Sequence, residues 1–155
     1  MKIYRFLALV CLLATASTAF AQGSLDSYIE LLRSDLQTQK KALITEALQF
    51  TDEEAKAFWP MYREFEVEGA KLMDRRVAGL KDYAANYETM TDKKADELIT
   101  GQFGIQKDRI STREKYYKKA LKLIGGKKAA LWAQVENQIQ SLIDAKIAAE
   151  LPLLK

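Results

Sequence analysis

The sequence predicts an all-α fold of four helices, in which two long central helices form an antiparallel hairpin and two shorter helices flank it. Apolar residues recur at steps of three and four along most of the chain, as on the buried face of a helix. Two threonines, Thr51 and Thr91, have the pattern of helix N-caps, and no stretch has a convincing strand pattern. Short connections between consecutive helices favour antiparallel neighbours, so a helical hairpin is the expected architecture.

Residues 1–21 have the pattern of a secretory signal peptide. Two basic residues precede an apolar run over residues 6–16, and small residues ending at Ala21 form an A-x-A cleavage site. The apolar run is about half of the roughly 20 residues that a permanent membrane helix requires. We therefore expect cleavage before Gln22 and a single all-helical domain over residues 22–155.

Cleavage would change the composition of the chain. It removes Cys11, the only cysteine, and takes Lys2 and Arg5 from the 24 basic residues, which leaves 22 against 21 acidic residues. An exported domain without cysteine has no disulfide framework, and this favours the periplasm of a Gram-negative bacterium. Export and a nearly neutral net charge also argue against nucleic acid as a partner.

The first helix is predicted within residues 24–49 and the second over residues 52–88. The first carries, at helical spacing, Leu25, Tyr28 or Ile29, Leu32, Leu36, Leu43 and Ala47. The second carries Ala55, Phe58, Tyr62, Phe65, Gly69, Leu72, Arg76, Leu80, Tyr83 and Tyr87. Pro60 removes one backbone hydrogen bond, so we expect a kink near residues 56–59, or a separate short helix formed by the first turns.

The two N-caps differ in completeness. Thr51 is followed by Glu54 three residues later, which completes a capping box of two reciprocal hydrogen bonds. Thr91 has Lys94 at that position, so only the cap itself and the favourable interaction of Asp92 with the helix dipole remain. Both sites nevertheless predict the start of a helix.

The third helix is predicted from Thr91 to the pair Gly125-Gly126, and the fourth from there to a stop before Pro152. The expected core line of the third is Ala95, Ile99, Phe103, Ile110, Tyr117, Leu121 and Ile124, with Gln106 and Arg113 on the same line. The fourth carries Trp132, Val135, Ile139, Leu142 or Ile143, and Ile147.

The openings of the two central helices, FTDEEA at residues 50–55 and MTDKKA at residues 90–95, resemble the LTxxQ motifs of the Spy/CpxP family of periplasmic helical proteins. Phe50 and Met90 take the place of the leucine, and the place of the glutamine is assigned to Ala55 and Ala95, so no role of that glutamine is carried over. The positions taken as family-motif caps are Thr51, Ala55, Thr91 and Ala95. The resemblance implies a helical-hairpin homodimer with a curved, cradle-like face and an ATP-independent chaperone or envelope-stress role.

Several kinds of chemistry are absent from the sequence. The chain has no histidine, and its mature form has no cysteine, so nucleophile–histidine pairs and Cys/His zinc sites are excluded. The glycines do not follow a predicted strand, so they do not form a phosphate-binding loop. We expect a binding protein rather than an enzyme, with no cofactor and no metal.

Arginines and tyrosines near the apolar lines are candidates for partner binding. Arg76 and Arg113 lie on those lines, where a guanidinium needs a carboxylate such as Glu66 or Asp108, or else an exposed and wet surface. On an exposed surface, arginines beside tyrosines would suit weak contacts with many partners. The candidate partner-binding residues are Arg75, Arg76, Tyr83, Tyr87, Arg109, Arg113, Tyr116 and Tyr117.

A cluster of lysines around the Gly125-Gly126 turn, here named the basic tip, is a second candidate. Its members are Lys115, Lys118, Lys119, Lys122, Lys127 and Lys128, with Arg113 nearby and Glu114 the only acid among them. Such a cluster could make peripheral contact with an anionic membrane surface or attract acidic segments. The alternative is a solvated helix end with cations near the negative end of the helix dipole.

Two functions follow as hypotheses. The first is a periplasmic, ATP-independent chaperone-like or envelope-stress accessory protein that binds unfolded or envelope proteins on an amphipathic helical surface. The alternative is a specific protein-interaction module that docks the sensor domain of an envelope signalling system.

Overall fold

The computed structural model describes residues 39–154. The chain divides into two compact units, Met1–Leu43 and Ile44–Lys155, and residues 39–43 are the described part of the first. The predicted signal peptide and most of the first predicted helix, including Leu25 to Leu36, lie outside the described residues.

Residues 39–154 are all-helical, without a strand, so the predicted fold class is confirmed for this part of the chain. Helix α1 covers residues 39–48, α2 covers Asp52–Asn86, and α3 covers Asp92–Glu150, with a 3-10 turn at Tyr87–Thr89 between α2 and α3. Within α3, Gly125 leaves the helical conformation, with φ 76° and ψ 165°. This interruption divides α3 into an N-terminal arm, residues 92–124, and a C-terminal arm, residues 126–150.

Both predicted N-caps form. Thr51 Oγ1 accepts from the backbone N–H of Glu54 at 3.2 Å, and the backbone N–H of Thr51 donates to Glu54 Oε2 at 2.8 Å, which completes the capping box. Thr91 Oγ1 accepts from the backbone N–H of Lys94 at 3.2 Å. The Lys94 ammonium instead binds Asp82 at 2.7 Å, and this contact ties the start of α3 to the end of α2.

Helix α2 continues through Pro60 as one element, so the prediction of a separate short helix before the proline is wrong. Pro60 is itself exposed, whereas Phe58, Met61 and Tyr62 are buried beside it. An internal proline costs about 3 kcal/mol, and burying three large side chains contributes about 1.5–3 kcal/mol each. Core packing therefore outweighs the lost hydrogen bond.

Three ion pairs mark an antiparallel register between α2 and the N-terminal arm of α3. Equal steps taken in opposite directions along the two helices give the pairs Arg75–Asp108 at 2.5 Å, Glu68–Lys115 at 2.6 Å and Glu64–Lys119 at 2.7 Å. The antiparallel pairing expected from the sequence is therefore present within the second unit.

The C-terminal arm of α3 runs back in the same direction as α2. Equal steps along both helices bring together Glu54 with Lys128, Phe58 with Trp132, and Tyr62 with Glu136. The turn at Gly125 thus places both arms of α3 against α2.

The core of the second unit lies where residues 44–48 of α1, α2 and both arms of α3 meet. Trp132, 2% exposed, has its ring edge-on to Phe58, Tyr62 and Phe65, with centroids 5.3–6.4 Å apart. The buried cluster consists of Ile44, Leu48, Phe58, Met61, Tyr62, Phe65, Tyr116, Ala120, Ile124, Ala129 and Trp132.

The apolar line predicted for α2 is confirmed: from Ala55 to Tyr87 none of its residues is exposed. The line predicted for the N-terminal arm of α3 is wrong for Ile99, Phe103, Ile110 and Leu121, which are exposed. The residues of this arm that are buried are Ile105, Tyr116, Ala120 and Ile124. Likewise Leu43 is exposed and its neighbour Ile44 is buried.

A physical reason accounts for the error on α3. A helix of this amphipathic type offers two apolar lines about one residue, or 100°, apart, and only packing decides which faces the core. The line through Tyr116 and Ala120 offers a large ring beside a small side chain, which lets the arms approach. The more hydrophobic line through Ile99 and Ile110 is exposed to solvent.

Candidate functional site

A cluster of two arginines around one carboxylate joins α2 to both arms of α3. Arg76 Nη1 donates to Asp144 Oδ1, and Arg109 Nη2 donates to Asp144 Oδ2 at 3.2 Å. The Arg76 side chain is only 11% exposed. Burial would raise the pKa of Asp144, but hydrogen bonds from Arg76 and Gln140 and the charges of both arginines hold this pKa below its usual range.

This arrangement brings Arg76 and Arg109 together as predicted members of one site, but through a carboxylate that the sequence did not single out. Asp108, one of the expected partners, binds Arg75 instead. Arg113 donates to the side-chain oxygen of Asn137 at 3.3 Å and to the carbonyl of Ala133 at 3.4 Å. The four arginines thus join α2 to both arms of α3, and the two arms to each other.

Tyr116 is buried and faces inward, whereas Tyr117 is half-buried and packs against the edge of the core. The Tyr116 hydroxyl donates to Glu68 Oε1 at 2.9 Å. Burial and the nearby Glu68 raise the pKa of Tyr116 to about 12. Lys119 Nζ lies 4.6 Å from the centre of the Tyr116 ring, close enough for a cation–π contact.

Tyr83 and Tyr87 hold a segment of the chain that follows α3. The Tyr83 hydroxyl donates to the carbonyl of Pro152 at 2.7 Å, and the Tyr87 hydroxyl donates to the carbonyl of Leu153 at 2.9 Å. The two rings are 5.7 Å apart. These tyrosines are separate from Tyr116 and Tyr117, so the predicted partner-binding set does not form one surface.

Most of the basic tip is neutralised by ion pairs. Lys115 binds Glu68, Lys118 binds Glu114, Lys119 binds Glu64 and Lys128 binds Glu54. The hydrogen bonds from these lysines hold the pKa of Glu54, Glu68 and Glu114 below the usual value. Among the described residues only Lys122 and Lys127 of the tip lack an ion pair, and both are exposed.

The caps carried over from the motif have structural contacts. The backbone N–H groups of Ala55 and Ala95 donate to the carbonyls of Thr51 and Thr91, both at 2.9 Å, as the first helical turn requires. The assignment of the glutamine place of LTxxQ to these alanines is wrong by one residue, because that place falls on Glu54 and Lys94. A threonine with Glu or Gln three residues later is a capping box, so at Glu54 the motif position acts as a helix start.

A surface that the sequence assigned to the core is the strongest candidate for binding. Ile99, Phe103 and Ile110 are 49%, 53% and 64% exposed on the outer side of the N-terminal arm of α3, one above the other. We name these three residues the apolar stripe. One signal for their exposure was present in the sequence, since Gln106, which is also exposed, lies on the same line.

The core also contains polar atoms. The Tyr62 hydroxyl donates to Glu136 Oε1 at 3.0 Å, and both side chains are buried. Burial and the charge of Glu136 raise the pKa of Tyr62. Trp132 Nε1 is buried and has no hydrogen-bond acceptor within residues 39–154.

Within the described part of the chain, no three acidic, cysteine or histidine side chains are grouped so that they could hold a metal ion. No helix in residues 39–154 is both long and apolar enough to cross a membrane.

Comparisons with protein-family models, with curated proteins and with solved structures give no match to the chain. The resemblance to the Spy/CpxP family therefore stays a prediction.

Proposed function

We propose that the protein is an ATP-independent, chaperone-like or envelope-stress accessory protein of the periplasm, which binds non-native or partner proteins and has no enzymatic activity. The observation that carries this proposal is the apolar stripe, Ile99, Phe103 and Ile110, exposed on a helix of a packed bundle. Exposed apolar side chains in a row are typical of surfaces that bind other polypeptides.

The size of the stripe supports weak and reversible binding. Full burial of one such side chain contributes about 1.5–3 kcal/mol, so covering three that are half-exposed contributes about 3 kcal/mol in total. Association itself costs at least as much. A client therefore needs several such contacts at once, which suits a holdase that acts at near-stoichiometric ratios.

The charges beside the stripe also favour a client of mixed character. Glu114 and Lys118 form an ion pair one helical turn apart at 2.7 Å, and Lys107 on the same side of the helix is exposed. An apolar centre with a polar rim is the usual anatomy of a protein-binding surface.

We also propose that the native protein has four helices, as the apolar spacing of the sequence predicts, and forms a homodimer, as the resemblance to the Spy/CpxP family implies. A dimer would place two stripes on one particle and so supply the additional contacts that a client needs. Sedimentation equilibrium measures the mass, and a monomer at all concentrations would contradict this part of the proposal.

The test of the function is suppression of aggregation. The double variant Phe103→Gln and Ile110→Gln should lose most of the protection that the wild-type protein gives a chemically denatured model protein at equimolar ratio. The matched control is Val67→Gln, since Val67 is an exposed apolar residue on α2, 57% exposed, away from the stripe.

Absence of protection by the wild-type protein at tenfold excess would overturn the proposal. Cross-linking from position 110 also identifies the proteins that bind the apolar stripe. Many unfolded chains captured there agree with a chaperone, and a single dominant partner would instead indicate docking of one envelope protein.

A further inference from the structure

The segment Leu151–Leu154, which follows α3, is bound by its main chain. Tyr83 donates to the carbonyl of Pro152 and Tyr87 to the carbonyl of Leu153. The side chains after Leu151 contribute little, since Pro152 is exposed, Leu153 is 88% exposed and Leu154 is 51% exposed. The two tyrosines therefore recognise the carbonyl groups of an extended backbone and not particular side chains.

Pro152 explains why the chain is extended at this point. A proline disfavours helical conformation in the residue before it, and Leu151 is extended, with φ −93° and ψ 123°. The helix must end here, and Pro152 and Leu153, which follow it, contact the tyrosine pair through their carbonyls. Tyr83 lies in the last turn of α2, and Tyr87, the C-cap residue of α2, follows one helical turn later, so the two hydroxyl donors lie in a row.

We propose that the pair Tyr83 and Tyr87 is a binding site for extended polypeptide segments, and that Leu151–Leu154 occupies this site when no such segment is bound. This inference deepens the proposed function and rests on it, because it names a second site at which a non-native chain would be held. The partner is an extended segment whose carbonyl groups are free, as in an unfolded protein, and a backbone in a helix or sheet is excluded.

The strength of the internal contact is suited to exchange. One hydrogen bond exposed to water changes an equilibrium constant by roughly two- to tenfold. Two such bonds therefore favour the bound over the released internal segment by a factor of roughly five to a hundred in the equilibrium constant. A client segment at high local concentration can therefore displace it.

The experiment measures binding of a fluorescein-labelled peptide with the sequence of residues 149–154, AELPLL, by fluorescence anisotropy. The Pro152→Ala variant of the full chain should extend α3 and withdraw the internal segment, and should bind the peptide at least fivefold more tightly than wild type. Adding Tyr83→Phe and Tyr87→Phe should remove this gain, with a loss of roughly two- to tenfold for each hydroxyl.

Two controls separate the outcomes. A peptide of the same composition in scrambled order should bind equally well, because the main chain is recognised. The phenylalanine variants keep the rings, so an unchanged melting temperature shows that lost binding is not lost folding.

The proposal is overturned if the tyrosine hydroxyls do not affect peptide affinity, or if saturating peptide leaves the wild-type NMR signals of Leu153 and Leu154 unchanged. Its failure is distinct from that of the proposed function. Variants of the apolar stripe should leave AELPLL binding intact, and tyrosine variants should leave the stripe available in the aggregation assay.

Discussion

At the scale of single residues, we expect Arg76 and Arg109, which share Asp144, to matter more for stability than for binding. Arg76 is nearly buried and shares Asp144 with Arg109, whereas Arg75 and Asp108 form a pair in which both side chains are about half exposed. Screening by water makes an exposed pair worth little, and a largely buried cation without its partner is costly.

These two carboxylates give a matched pair of variants. Asp144→Asn should lower the free energy of unfolding by about 1–3 kcal/mol, less than for a fully buried pair because Asp144 remains partly exposed. Asp108→Asn should change it by at most about 0.5 kcal/mol. Urea denaturation followed by circular dichroism measures both, and equal effects would contradict the burial argument.

Residue-scale prediction from the sequence was partly successful. The arginines on the apolar lines were expected to need carboxylates, and Arg76 has one, but its partner Asp144 is far along the chain and could not be identified from spacing. The capping box at Thr51 was predicted in full because its two residues are only three apart. Local contacts are readable from a sequence, whereas contacts between helices depend on their register.

At the scale of elements, the turn inside α3 depends on one glycine. Gly125 has φ 76° and ψ 165°, a conformation almost restricted to glycine, whereas Gly126 lies in helical conformation. A methyl group on Gly126 would meet Leu121 Cδ1 at 3.6 Å, an ordinary contact. The sequence predicted a helix end at this glycine pair, and the structure assigns the break to the first of the two.

The neighbouring glycines therefore predict opposite effects. Gly125→Ala should destabilise the protein by about 1–3 kcal/mol through backbone strain. Gly126→Ala should be neutral or stabilise it by up to about 1 kcal/mol, since alanine favours a helix. Thermal unfolding of the two variants measures the difference, and a stabilised Gly125→Ala protein would contradict the assigned backbone conformation.

The α3 helix also shows why the sequence pattern wrongly placed the apolar stripe in the core. Helical period alone fixes that Ile99, Phe103 and Ile110 share a face, and it does not say whether that face is inside. On α2 the same reasoning succeeded, because its line is aromatic and is contacted from both arms of α3. On α3 the core took the line with Tyr116 and Ala120 instead.

At the scale of the whole molecule, stability should depend on pH at both ends of the range. Glu54, Glu68, Glu114 and Asp144 have pKa values below their ordinary values of 4.5 and 3.8, because they accept hydrogen bonds from cations. The unfolded chain then binds protons more readily than the folded one. This contribution is fully present above about pH 4.5 and is lost as the pH falls through the folded pKa values.

The loss of stability at alkaline pH has the opposite cause, since it comes from pKa values that folding raises. Burial raises the pKa of Tyr62, and it raises that of Tyr116 from 10.0 to about 12. Above pH 10 the unfolded chain loses these protons first, so stability falls as the pH rises from 10 toward 12. Tyr116→Phe should reduce this loss of stability, as measured by urea denaturation at several pH values, and Tyr83→Phe serves as the control outside the core.

The placement of Trp132 has a practical consequence for all these measurements. Its indole is enclosed by aromatic rings and has no hydrogen-bond acceptor in the described part of the chain, whereas Trp59 is half-exposed. An indole in so dry a setting emits fluorescence at shorter wavelength than one in contact with water. The variant Trp59→Phe would therefore leave Trp132 as the single tryptophan, buried in the core, and its emission would follow unfolding without any added dye.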